Sequence, residues 1–106
     1  MNIESKNGTV VVSFDKDIDM ESVSSFKNVI DTAYKDTNAK NLVFDYSKSK
    51  SITEDGINFA LGRYKRVLEN KGHMFIYGAK GDVNKTLNEK GIYNCIPSCK
   101  NVNKPY

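Results

Sequence analysis

The stretch LVFDYSKSKSITEDGINFALGRYKRVL, residues 42–68, decides the fold. Residues 42–46 form an apolar run of strand length, and residues 47–52 are a polar loop. A helix then starts near Thr53, whose hydroxyl suits an N-cap because it can accept from a free backbone N–H of the first turn. Glu54 and Asp55 follow where the helix dipole favours negative charge. Ile57, Ala60, Leu61, Tyr64, Val67 and Leu68 recur at three and four residues, which predicts that this face packs on the core. Phe59 projects roughly opposite, with Asp55, Gly62, Arg63 and Arg66 as neighbours. An exposed Phe beside a small residue and two Arg has the composition of a protein-docking surface. The competing reading packs Phe59 under the loop 47–52 or another element.

On either side of this unit the chain alternates strands and helices. Residues 2–6 and 9–14 read as two strands joined at Asn7-Gly8, a pair that tolerates the positive φ of a type I′ turn. After a polar connection anchored by Ile18, Asp19 is expected to cap a helix over 20–35. Met20, Val23, Phe26, Ile30 and Ala33 would form its core stripe. The second helix should run over 54–69 and stop at Asn70-Lys71-Gly72. A fourth strand spans 73–77, with His73 as a polar residue at its edge, and Asp82 is expected to cap a short helix that ends at Gly91. A short strand or extended tail follows, and residues 97–106 are a polar tail. Such alternation predicts a single α/β domain. It has a mixed sheet with an N-terminal antiparallel hairpin and right-handed parallel crossovers, and helices pack on it.

Composition narrows the function classes. With 106 residues there is room for one core, burying about 60–70% of the unfolded surface. Sixteen basic residues stand against 13 acidic ones, and the lysines are dispersed among Asp and Glu. That pattern suits a solvated surface better than a nucleic-acid stripe. Cys95 and Cys99 have neither a second Cys pair nor more than the single His73 for company, so no metal is expected, and both should be reduced, small apolar fillers. The start of the chain lacks the apolar segment of a signal peptide, and no apolar run approaches the ~20 residues of a membrane span. A cytoplasmic protein is the expectation. No nucleophile elbow, phosphate loop or metal cluster points to an enzyme, and no cofactor is implied. Glu54 and Asp55 diverge by ~100° around the helix, which suits a charged patch rather than an acid/base pair.

The strand ending in Asp45, the gap before an acidic-polar pair, Gly56-Ile57 and Leu61-Gly62-Arg63-Tyr64-Lys65 together resemble the STAS domain. Within it, they are most similar to bacterial anti-anti-sigma factors. The resemblance spans roughly residues 9–96 and is strongest over 42–68. Where that family carries Asp-Ser-Ser-Gly or Asp-Ser-Thr-Gly, this chain has Thr53-Glu54-Asp55-Gly56, so the family's phosphorylated hydroxyl falls on Glu54. Lys16 stands near a place where the family usually has Gly, which implies a differently built turn. The resemblance implies a protein-interaction domain that binds an anti-sigma kinase-type partner through the start and outer face of the second helix: Glu54, Asp55, Asn58, Phe59, Gly62, Arg63 and Arg66. Two other readings stay open. One is a non-switching STAS subunit of a larger transport or stress-signalling assembly; the other is a small-ligand-binding module.

Overall fold

The computed structural model describes residues 1–15 and 17–105, with Ser22 described for its backbone only; Lys16 and the turn expected there lie outside the described residues. Asn7 and Gly8 both take positive φ, 52° and 78°, and join β1 (Asn2–Lys6) to β2 (Thr9–Ser13) as an antiparallel hairpin. From β2 onward every pairing is parallel. The chain passes through α1 (Met20–Asp36) to β3 (Asn41–Asp45), and through α2 (Glu54–Glu69) to β4 (His73–Tyr77). It then passes through α3 (Gly81–Glu89) and a 3-10 turn at Ile92–Asn94 to β5 (Ser98–Cys99). Strand order in the sheet is β1-β2-β3-β4-β5. Each parallel step moves the same way, so right-handed crossovers place the helices on one face.

That face carries the core. Val10, Val12, Leu42, Phe44, Met74 and Ile76 alternate along β2, β3 and β4 and form one buried cluster with Ile30 of α1, Ala60 of α2 and Leu87 of α3. Phe14, Phe44 and Tyr46 make a mutual aromatic contact within it, with centroids 5.1–6.1 Å apart. β3 is covered on both sides, as its continuous apolar run requires: Val43 is fully buried although it faces away from this cluster. The row Val11–Val43–Phe75 belongs to that second face. The chain after β5 returns across it, because Val102 and Asn103 line a small cavity with Thr9 and Val11, three strands away. Pro105 is also buried. The polar tail is thus a strap across the sheet, and no helix follows β5 among the described residues.

Several local expectations need correction. Met20 was expected in the core stripe of α1 but is 61% exposed. Asp82 lies in the first turn of α3; the N-cap is Lys80, without a side-chain hydrogen bond. Cys95 is exposed and Cys99 half-buried, so neither is a core filler. At the end of α2, Lys71 takes the left-handed conformation (φ 59°) that a C-terminal glycine usually occupies. Gly72 serves a different need: a Cβ there would stand 1.9 Å from the Lys40 carbonyl oxygen. Among the described residues, no helix is long and apolar enough to cross a membrane.

Candidate functional site

The loop after β2 and the loop after β3 are tied together, and this seats the start of α2. Ile18 and Ile52 form an isolated parallel bridge. The Ile18 carbonyl accepts from both the backbone N–H (2.9 Å) and the hydroxyl (3.1 Å) of Thr53. Thr53 Oγ1 in turn accepts from the Gly56 N–H at 3.3 Å, as the N-cap expectation required. Gly56 is needed by space: a Cβ would meet Ile18 Cγ2 at 2.6 Å and the Ile18 carbonyl oxygen at 2.9 Å. Asp17 was not singled out by sequence reasoning, yet its Oδ1 accepts from the backbone N–H groups of Lys50 (2.9 Å) and Ser51 (3.1 Å). Those bonds, Lys50 first, hold its carboxyl below the usual carboxylate range. Its partners lie 33 and 34 residues away. No local spacing announces them.

The clamp leaves Glu54 and Asp55 exposed at the helix start. Glu54, Asn58, Gly62 and Arg66 follow at intervals of four, which makes a ridge along α2. Asn58 and Arg66 are exposed, and Gly62 is half-buried with open space where a Cβ would project.

Phe59 and Arg63 do not join that ridge. Phe59 is 8% exposed and stacks on Phe44, ring centroids 6.1 Å apart and planes within 18°. It is a core residue, and the expectation of an exposed docking anchor is wrong. Arg63 is 7% exposed; its guanidinium carbon sits 4.9 Å over the Phe59 ring, and its Nε is 3.0 Å from Asp31 Oδ1 on α1. The buried face of α2 therefore runs through Gly56, Ile57, Phe59, Ala60, Arg63 and Val67; Ile57, Ala60 and Val67 were expected there, while Leu68, also expected inside, is 52% exposed. Leu61 and Tyr64 are partly buried at its margin. A buried arginine that completes an apolar face is invisible to a hydrophobic-periodicity reading, because its ion-pair partner Asp31 lies on another element.

The STAS domain family model matches residues 1–104. Among solved structures, the chain is similar to a putative anti-sigma factor antagonist, tm1081, from Thermotoga maritima, with TM-score 0.87 at 12% identity over 96% of this chain and 87% of that one. It is also similar to the anti-sigma factor antagonist SpoIIAA in its unphosphorylated form, with TM-score 0.81 at 17% identity over 93% and 87% of the two chains. The same Bacillus cell-fate determinant in its phosphorylated form matches with TM-score 0.72 at 16% identity over 93% and 90%. At such identities the structural likeness speaks for the fold. With the family match over nearly the whole chain, a sheet of order β1-β2-β3-β4-β5 and a helix start seated at Thr53, the chain belongs to the STAS domain family.

Proposed function

We propose that this chain is a cytoplasmic regulatory binding module of the anti-sigma factor antagonist kind, whose switch position is held in a charged form by Glu54. The observation that carries the reading is the rigidly seated, exposed acidic start of α2 in the place where the family resemblance puts a phosphorylated hydroxyl. Glu54 and Asp55 together bring about −2 to that point, near the −1.5 to −2 of a phosphoserine. They lack the phosphate's three clustered acceptor oxygens, so the imitation is electrostatic and incomplete. Thr53, the one hydroxyl of the motif, is engaged twice, as donor to Ile18 and acceptor from Gly56. The partner contact then consists of Glu54, Asp55, Asn58, Gly62 and Arg66, without the aromatic anchor expected from sequence, and it suits a partner that is basic opposite the helix start.

Recovery of bound proteins from the native cytosol with tagged chain tests the assignment. An ATPase of the anti-sigma kinase type is the expected partner; a transporter subunit in its place would replace this reading with that of a non-switching assembly component. Gly62→Ala tests the ridge itself. The new methyl meets nothing within 4 Å, so the helix should gain about 0.5–1 kcal/mol of stability. On a partner-contacting ridge the same methyl should weaken binding by about 1 kcal/mol or more. A stabilised variant that binds the partner as well as wild type would remove Gly62 from the contact.

A further inference from the structure

Strand order puts β1 at the end of the sheet, with its outer edge unpaired among the described residues. The two-residue turn Asn7-Gly8 closes on Lys6 and Thr9, and in such hairpins the flanking pair exchanges backbone hydrogen bonds. Pairing then alternates, so Asn2, Glu4 and Lys6 turn their backbone groups to β2, while Ile3 and Ser5 turn theirs outward. β2 agrees in phase: Phe14 donates its N–H to Asp45 of β3, which leaves Thr9, Val11 and Ser13 to serve β1. The edge has neither proline nor bulge as a guard, only Glu4 and Lys6, of opposite sign and both exposed. They stand on the helix-free face, opposite Val11 and Thr9. Val102 and Asn103 of the strap line a small cavity with them, yet both charged side chains stay exposed. On the other face α1 packs over β1 and β2. Asp31, one residue after the fully buried Ile30, turns to Arg63 of α2; Val29, one residue before, therefore turns the other way by ~100°, towards the β1 edge. Val29 is 50% exposed, and Phe26 and Ala33 on the same flank are only partly buried. An apolar helix flank thus runs beside an open strand edge.

We propose that β1 pairs antiparallel with β1 of a second copy of this chain, about a two-fold axis at Ser5, and joins two five-stranded sheets into one. In that register the two Ser5 residues exchange both backbone hydrogen bonds. Glu4 lies opposite Lys6 of the second copy, and the two-fold makes this pair twice. The pair is of the non-hydrogen-bonded kind, in which facing side chains come closest. Charge selects the register. Centring on Glu4 sets two carboxylates opposite one another, and centring on Ile3 gives Glu4 only the uncharged Asn2. Within one chain the Asn2 amide already reaches Glu4 at 3.4 Å, a weaker contact than an ion pair would be. The two-fold stands perpendicular to the sheet, so both α1 helices lie on one face and their Val29 flanks approach across the seam. The α2 ridge lies beyond α1 from this seam. Pairing leaves Glu54 and Asp55 free, and its failure would leave the partner-binding reading standing.

Sedimentation equilibrium of the full chain between about 10 µM and 1 mM tests the proposal, the range of a small interface. The average mass should rise from one chain towards two. Glu4→Lys and Lys6→Glu each set like charges opposite across the seam and should each weaken association about fivefold. Lys6→Glu also lowers the net charge of +3, so general repulsion falls and cannot be the cause of its effect. The double variant Glu4→Lys/Lys6→Glu restores both pairs and should return to within about twofold of wild type. Ser5→Pro removes an outward N–H that β2 does not use, at an edge position where proline is tolerated, and should weaken association about tenfold. The charge variants, at exposed side chains, carry the test even if Ser5→Pro loosened the hairpin. A single-chain mass at 1 mM would overturn the proposal. So would single charge variants that associate as well as wild type, or a double variant that associates no better than the singles.

Discussion

Phe59→Ala is expected to cost the fold about 3–5 kcal/mol, the range for removing a buried aromatic side chain. Phe59 fills the space between α2 and β3, stacked on Phe44, and the Arg63 guanidinium rests over its other neighbouring surface at 4.9 Å to the ring centroid. Removing the ring opens a cavity and also takes away the aromatic contact of a buried charge, so the two losses add. Tyr64→Ala provides the comparison. Sequence periodicity places Tyr64 in the core and Phe59 outside, whereas Tyr64 is only partly buried against the cluster. Urea denaturation should therefore show Phe59→Ala as clearly the more damaging of the two. The reverse order, or a Phe59→Ala change within about 1 kcal/mol of wild type, would return Phe59 to the surface.

The second large effect lies at the other end of α2. Gly72→Ala should destabilise by about 3 kcal/mol, at the upper end of ordinary overpacking. The added Cβ would lie 1.9 Å from the Lys40 carbonyl oxygen and 2.7 Å from the Tyr34 hydroxyl. That carbonyl accepts from the His73 N–H at 3.0 Å and from the Tyr34 hydroxyl at 3.1 Å, at the point where β3 and β4 enter the sheet. Neither backbone nor hydroxyl can retreat without losing these bonds. Lys71→Gly, one residue earlier, should act in the opposite sense and stabilise by about 1 kcal/mol, because a side chain is costly at positive φ. Thermal or chemical melts that showed the same sign for both substitutions would refute this division of labour.

These two positions also show where a sequence stops being legible. The Asn7-Gly8 hairpin, the alternation of strand and helix, and the bounds of α2 could be read because their causes are local: a turn that needs positive φ, an apolar period, a capping hydroxyl. The rotation of α2 about its axis could not. It depends on Phe59 finding Phe44 and on Arg63 finding Asp31, pairings between elements that one-dimensional periodicity does not contain. The glycine at the end of α2 marks the stop correctly but for another reason, since the left-handed place belongs to Lys71 and Gly72 yields room for Lys40. At the candidate site, the Thr53 cap and the exposed Glu54 and Asp55 followed from the motif. The Asp17 tether and the steric need for Gly56 against Ile18 did not, because both come from the loop after β2 folding onto the loop after β3.

In the proposed function, Glu54 holds the switch position in a charged form. Incubation of wild type and Glu54→Ser with the recovered kinase partner and ATP tests it most directly, with phosphate incorporation and partner affinity both measured. Wild type should take up no phosphate within residues 53–56, because the Thr53 hydroxyl is already committed to Ile18 and Gly56. Glu54→Ser should bind the kinase more tightly before ATP is added, then gain phosphate at position 54 and lose that affinity. Phosphate on Thr53 of the wild type would contradict the account, as would a Glu54→Ser chain that bound no better and gained none.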